Sequence, residues 1–306
     1  MEFGKVQQID LVDFALPIDH PNNNIFFLTQ QGKIAQKKKL YIGCTGWSMK
    51  EWIGTTYPEK AKTKDFLQYY GQQFNTIELN TTHYRIPTLD MVTQWKKDTP
   101  EDFRFCPKLT NTISHSRDLG MNGSQLSLFC DTVRQLEQKL GCCFLQFPPH
   151  FDEHRLSLLE AFVQQFPKDI PLAFELRHEN WFNTSKSFEL LLTICQQANI
   201  SLVITDVAGR RDVLHMALTC LKVLIRFVGN GLHPTDYERI DTWITRMKSW
   251  FAQGIEEIYF FVHEPDNILS PELALYLYNK AKSELLVDTR GPKLPNTPPK
   301  GQISLF

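Results

Sequence analysis

The sequence has no apolar run that could cross a bilayer: its longest stretch without a charged residue, Leu190 to Thr205, is interrupted by Gln196, Gln197 and Asn199 and is too short. It also has no surplus of either charge. Lys and Arg number 33 against 34 Asp and Glu, a net charge of −1, so nothing draws the chain as a whole to nucleic acid or to an anionic membrane. The start, Met1-Glu-Phe-Gly-Lys5, lacks the basic opening and apolar core of a signal peptide, which reads as cytoplasmic. None of the seven cysteines forms a C-x-x-C pair, which argues against a thiolate zinc site. Their odd number, and the apolar setting of Cys44, Cys106, Cys142, Cys143 and Cys195, read as reduced, buried thiols. No H-E-x-x-H or clustered carboxylate spacing occurs, so no cofactor is expected, and a divalent metal on strand-end carboxylates and histidines has no ligand motif behind it. Gly43-Cys-Thr-Gly46 does not fit the glycine fingerprint that opens a doubly wound dinucleotide fold.

What is there is a foldable chain of 306 residues, 42% hydrophobic and 22% charged, long enough for two ordinary domains or one large barrel. Residues 1–39, with Asn22-Asn-Asn24 and Lys37-Lys-Lys39, show no sustained period and read as an extension outside the main domain. From Leu40 short apolar runs alternate with amphipathic stretches. Eight runs qualify as strands buried on both faces: Leu40–Cys44, Thr76–Asn80, Phe103–Pro107, Cys142–Phe147, Leu172–Leu176, Ser201–Thr205, Val223–Val228 and Glu257–Val262. Helical spacing appears at Leu126, Phe129, Val133, Leu136 and Leu140 and at Ile240, Ile244, Met247 and Phe251; Ser270-Pro271 reads as an N-cap and first turn, and the helix after Asp206 is weakly marked. The expected fold is α/β, a single (β/α)8 TIM-type barrel over residues 40–290 with an N-terminal extension and a proline-rich, extended tail over 291–306.

In such a barrel the active face lies at the carboxyl ends of the strands. Those ends deliver Thr45 and Trp47; Glu78, Asn80 and Tyr84; Lys108 and His115; Gln146; Glu175, Arg177, His178 and Trp181; Asp206; Arg226 with Gly229-Asn230-Gly231; and His263. Glu78 and Asn80 share a strand face, as do Glu175 and Arg177. Arg226, inside an apolar strand, requires a carboxylate, and Glu78, Glu175 and Asp206 are the candidates. One reading of these groups is a structural ion-pair network; convergence from separate strands favours a functional pocket.

Gly43-Cys-Thr-Gly-Trp47 with Trp52 and Tyr57-Pro58, Thr76-Ile-Glu-Leu-Asn80 with Tyr84 and Pro87, Lys108 with Ile113-Ser-His115, Leu145-Gln-Phe-Pro-Pro149, and Glu175-Leu-Arg-His178 with Trp181 together resemble the YecE-like family, the domain of unknown function numbered seventy-two. The resemblance spans about Leu40 to Ala281. It implies a TIM-type barrel and points at Glu78, Asn80, Lys108, His115, Gln146, Glu175, Arg177, Asp206 and Arg226, and it supplies no activity. The N-terminal extension lies outside the family core, and His263-Glu264 stands where members often carry asparagine.

The expected activity is that of an enzyme, a hydrolase or lyase of an anionic substrate such as a phosphorylated sugar, a nucleotide or a nucleic-acid end. Lys108, Arg177 and Arg226 bind the anion, Glu175 and Glu78 serve as acid and base, and Asp206 orients a cation. Trp47, Asn80, Tyr84, His115, Gln146, His178, Trp181, Asn230 and His263 complete the substrate contacts. An isosteric Glu175→Gln is expected to abolish function and leave the fold intact. The alternative is a non-catalytic ligand- or nucleic-acid-binding protein. The last residues, Gln302-Ile-Ser-Leu305-Phe306, resemble the peptide by which bacterial DNA-processing proteins dock on the sliding clamp, with Gln302, Leu305 and Phe306 as partner contacts. Gln125-Leu-Ser-Leu-Phe129 fits the same pattern, but its spacing places it in a helix with Leu126 and Phe129 facing the core.

Overall fold

Each of the eight apolar runs becomes a strand: β1 Lys39–Gly43, β2 Thr76–Leu79, β3 Arg104–Pro107, β4 Cys143–Gln146, β5 Leu172–Glu175, β6 Ser201–Asp206, β7 Lys222–Val228 and β8 Glu257–His263. A ninth, β9 Asp288–Arg290, is too short and polar to show in the hydropathy pattern; it pairs with β1. The computed structural model describes Gly4 and residues 6–30, 37–183 and 186–293. All named strand pairs are parallel, in the order β4-β5-β6-β7-β8-β1-β9, with β2 and β3 paired to each other.

Short contacts join the two sheets. Phe105 bridges to Leu140 and Lys108 to Phe144, and Glu78 N donates to the Cys44 carbonyl at 3.0 Å. Earlier in β1, the Asn75 side chain takes the role of a neighbouring strand: its Nδ2 donates to Leu40 O at 3.1 Å and its Oδ1 accepts from Ile42 N at 2.7 Å. Gly43 lies so close to the Thr76 carbonyl that a Cβ would collide with it, which explains glycine at the end of β1. On one face of the strands Tyr41, Cys106, Phe144, Ala173, Val203, Leu224, Tyr259 and Phe261 form one buried cluster drawn from seven strands. Tyr41 and Tyr259 stack there at 4.5 Å.

The other face of the strands packs against α2 Phe66–Gln73, α3 Leu89–Asp98, α5 Gln125–Arg134, α6 Leu156–Gln165, α7 Lys186–Ala198, α8 Pro234–Gln253 and α9 Ser270–Glu284, with a one-turn α4 Asn111–Ser114 after β3. Leu126, Phe129, Val133 and Leu136 are buried as their spacing predicts, so the internal Gln125–Phe129 peptide is core-facing. Ile240, Ile244, Met247 and Phe251 form the buried stripe of α8, which starts with Pro234 behind a His233–Asp236 capping box and stops at left-handed Gly254. The N-cap of α9 is Leu269, not Ser270, whose hydroxyl instead accepts from Glu264 N and donates to Asn267 Oδ1. No helix among the described residues is long and apolar enough to cross a membrane. All seven cysteines are free and buried.

After β6 the expected helix is replaced by a single 3-10 turn, Arg211–Val213, and an extended run. The N-terminal segment, read from sequence as lacking a period, packs there through α1 Asn22–Gln30. Asn23 clamps the run with both ends of its amide, Nδ2 to Met216 O at 2.7 Å and Oδ1 from Leu218 N at 2.8 Å. Phe26 and Phe27 are buried in the same core cluster as Leu214, Met216 and Leu218. At the other terminus Gly291 and Pro292 are buried rather than loose, and Lys293 N donates to Gln73 Oε1. Gln302, Leu305 and Phe306 lie outside the described residues.

Candidate functional site

The two-residue period of a strand puts Glu78 and Asn80 together, and Asn80 Nδ2 donates to Glu78 Oε1 at 2.8 Å. The same period joins Arg177 to Glu175, Nε to Oε1 at 3.2 Å. Between these pairs stands Arg226 of β7. Its Nε and Nη2 reach Glu78 at 2.8 and 3.0 Å, and its Nη1 meets both oxygens of Glu175 at 2.9 Å. Gln146 Nε2 donates to Glu175 Oε2 at 2.8 Å, and Lys108 Nζ donates to Gln146 Oε1 at 2.8 Å. His263 Nε2 lies 2.9 Å from Glu78 Oε2. Because an ionised carboxylate only accepts, Nε2 is the donor in this contact.

Both carboxylates are fully buried, and every oxygen has two donors. Burial alone would push their pKa values up. For Glu175 the charges of Arg226, Arg177 and Lys108 outweigh it and hold the pKa at about 2; for Glu78, Arg226 and His263 hold it well below the usual carboxylate range. Both groups are ionised near neutral pH, so the proton-donor role expected from sequence for one of them does not fit either. Lys108 moves the other way: burial lowers its pKa to about 8, against the pull of Glu175.

Above this network opens a cavity of about 630 Å³, walled by Asn80, His83, Tyr84, Lys108, Gln146, Arg177, Thr205, Arg226, Asn230, His263 and Glu264. Three cationic side chains, Lys108, Arg177 and Arg226, meet the two carboxylates of Glu78 and Glu175 beneath the cavity, and Glu264 stands in the same wall. Two wall atoms, Thr205 Oγ1 and Glu264 Oε1, are buried without a hydrogen-bond partner among the described residues. The roof comes from the N-terminal segment: Gly4, Val6, Gln7 and Ile9 line the cavity, and Gly4 O accepts from Gly209 N at 2.9 Å. No group of three or more His, Cys, Asp or Glu among the described residues is placed to hold a metal ion.

A family model described as "Protein of unknown function DUF72" matches residues 41–298. The chain belongs to the DUF72 family. It is 28% identical over 285 residues to UPF0759 protein YecE of Escherichia coli (strain K12), covering 87% of this chain and all of that one. To UPF0759 protein YunF of Bacillus subtilis (strain 168) it is 32% identical over 152 residues, 47% of this chain and 52% of the relative. The fold matches crystal structures of DUF72 family proteins from Enterococcus faecalis V583 (TM-score 0.65, 21% identity, 81% of this chain and 99% of that one) and Thermotoga maritima MSB8 (TM-score 0.59, 24% identity, 80% and 98%).

In this DUF72 chain Asn80, Tyr84, Lys108, Gln146, Arg177, Arg226, Asn230 and His263 reach the cavity, with Glu78 and Glu175 directly behind Arg226. Five expected residues do not. Asp206 is the last residue of β6 and points to the opposite face from Thr205; its carboxylate is fully buried, paired with Arg211 and with Arg239 at 2.8 Å, and accepts from Trp243 Nε1 at 2.7 Å. It therefore ties β6 to α8 and is not placed to orient a substrate cation. Trp181 is buried with its Nε1 on Phe151 O, and Trp47 packs edge-on to Trp95. His178 Nδ1 accepts from Asn180 N in a turn, and His115 pairs with Ser114 Oγ outside the cavity wall.

Sequence reasoning missed His83, Thr205, the N-terminal roof and Glu264. Glu264 follows β8, is 5% exposed, and accepts Gly231 N on Oε2 at 2.7 Å. Its Oε1 faces Gly229, where a Cβ would collide with it. Burial, with Asp236 nearby, raises its pKa to about 7. Since the folded pKa lies above the unfolded one of 4.5, this group favours folding below pH 4.5 and loses that contribution as pH rises through 7, up to about 3 kcal/mol. Glu264→Gln should therefore match wild type in melting temperature at pH 4 and exceed it at pH 8. Thermal unfolding across that range checks it; an equal difference at both pH values would show that Glu264 does not titrate in the folded protein.

Proposed function

We propose that this DUF72 protein is a (β/α)8 barrel enzyme, a hydrolase or lyase, that takes an anionic, phosphorylated substrate at the carboxyl ends of its strands. Closure of the strands into a barrel is supported by the Glu78–Cys44 and Lys108–Phe144 contacts and by the seven-strand buried cluster. The observation that carries the substrate class is the arrangement of charge: Lys108 and Arg177 face the cavity while Glu78 and Glu175 are consumed by Arg226 behind them. Lys108 and Arg177 hold the anion, His263 is the base oriented by Glu78, and Glu264 is the proton donor. Glu78, Glu175 and Gln146 are positioning residues. Glycoside cleavage needs a protonated carboxylic acid beside a second carboxylate, a pairing that Glu78 and Glu175 do not offer.

Phosphate esters should raise the melting temperature of wild type, the stabilisation reaching about 2.7 kcal/mol at a hundredfold excess over Kd. The shift should be largely lost in Lys108→Met and Arg177→Ala. Arg226→Ala is the wrong control, because it removes the counter-charge of two buried carboxylates. No shift in wild type, or equal shifts in all three proteins, overturns the anion site; stabilisation without turnover of any ester supports the non-catalytic alternative instead.

The partner reading of the tail belongs to the same proposal. Its internal look-alike is committed to the core through Leu126 and Phe129, so Gln302, Leu305 and Phe306 are the copy to test. Purified bacterial sliding clamp should retain the full chain and lose it when Leu305 and Phe306 are deleted; equal retention of both, or of neither, ends the clamp reading.

A further inference from the structure

We infer that Lys108 is an amine nucleophile that captures the carbonyl carbon of a phosphorylated aldehyde or ketone as an iminium. This rests on the reading of the cavity as an anion site and names the chemistry that the anion carries. The geometry that points to it is the partner of Lys108. Its Nζ has one acceptor among the described residues, and that acceptor is the neutral Gln146 amide rather than a carboxylate. Gln146 cannot turn round, because its Nε2 is committed to Glu175 Oε2. An amine that loses its proton still donates to Gln146 Oε1 and keeps its lone pair, so the network is satisfied in the neutral form. An ion pair in the same place would have been broken by deprotonation.

The surroundings work in the same direction. Charged or titratable groups acting on Lys108 are Glu175 and Glu78, which favour the ammonium, and Arg226 and Arg177, which oppose it. His83 and His115 also feel its charge, and both have lowered pKa values, caused first by burial. Burial brings Lys108 to about 8, so a usable fraction is neutral near physiological pH. With a carbonyl substrate Arg177, on the same wall, holds the phosphate and the neutral amine of Lys108 meets the carbonyl; with an ester that has no carbonyl, the ammonium form of Lys108 joins Arg177 on the phosphate.

The step balances without a redox partner. The Nζ lone pair attacks the carbonyl carbon, the C=O pair moves to oxygen, and a proton passes from nitrogen to that oxygen to give a carbinolamine. A second proton, from solvent, converts the hydroxyl to water; water leaves as the nitrogen lone pair forms the C=N bond of the iminium.

The test is to incubate the full chain with glyceraldehyde 3-phosphate and sodium borohydride, whose hydride reduces the iminium to a stable secondary amine, and to map the product by peptide mass spectrometry. The expected result is one adduct at Lys108, suppressed by inorganic phosphate and lost in Lys108→Met. Should that variant fail to fold, the wild-type map decides alone. Stabilisation by inorganic phosphate with no adduct, or with adducts spread over surface lysines, overturns the inference and leaves the anion site standing. An adduct at Lys108 without stabilisation or competition by phosphate supports the nucleophile and overturns the anion site. Neither adduct nor stabilisation overturns both.

Discussion

Arg226→Met is expected to be the most damaging single substitution at the site, costing at least about 3–5 kcal/mol, because it strands buried charge rather than merely removing a contact. Arg226 reaches both carboxylates, with two bonds to Glu78 and two to Glu175. The pH dependence should invert. In wild type Glu175 has a folded pKa of about 2 against 4.5, so its contribution of about 3 kcal/mol is present above pH 4.5 and is lost as pH falls toward 2. Without Arg226, burial dominates and raises the carboxyl pKa values, so the variant should be most stable below pH 4.5 and weaken as pH rises. Urea unfolding between pH 3 and 8 reads this directly, and parallel stability curves for the two proteins would contradict it.

Glu175→Gln should also unsettle the fold, against the expectation from sequence that an isosteric amide abolishes function and leaves the fold intact. Every bond to Glu175 comes from a donor: Arg177, Arg226 and Gln146. A glutamine presents one NH2 to that ring of donors. If Gln146 turns to accept it, its own NH2 faces Lys108 Nζ. The loss also leaves Arg226 and Arg177 short of one counter-charge in a buried setting, again a cost of about 3 kcal/mol or more. Phosphate-ester stabilisation should disappear with it, since Lys108 loses both its oriented acceptor and the carboxylate that most favours its charged form. Retention of wild-type stability and ligand response would show that Glu175 does not organise the site.

The strands were legible because a segment buried on both faces must be apolar along its whole length, and the strand-end residues followed from counting to the end of each run. Alternation then decided which of them meet: Glu78 with Asn80 and Glu175 with Arg177 were readable as pairs. Position at a strand end does not, however, reveal the direction of the last side chain. Asp206 and Thr205 are neighbours, yet Thr205 faces the cavity and Asp206 faces Arg239 and Trp243 of α8. The two tryptophans and His178 were drawn in by proximity in sequence; Trp181 is held by the Phe151 carbonyl, Trp47 by ring packing on Trp95 and His178 by a local backbone bond instead. The N-terminal helix shows Asn23, Phe26 and Phe27 at helical spacing, but one turn and a half of period is too little signal, and its partner run at Met216 and Leu218 is known only from the fold. Glu264 carried no pattern at all; only its burial and its empty oxygen mark it.

The claim on which the rest depends is that the cavity binds a phosphoryl group between Lys108 and Arg177. A crystal structure of the full chain grown with a phosphate ester, free of sulfate, tests it most directly. The account predicts tetrahedral density in the cavity with oxygens about 2.7–3.2 Å from Lys108 Nζ and from the Arg177 guanidinium. An empty cavity, or phosphate found only on surface lysines, would contradict it.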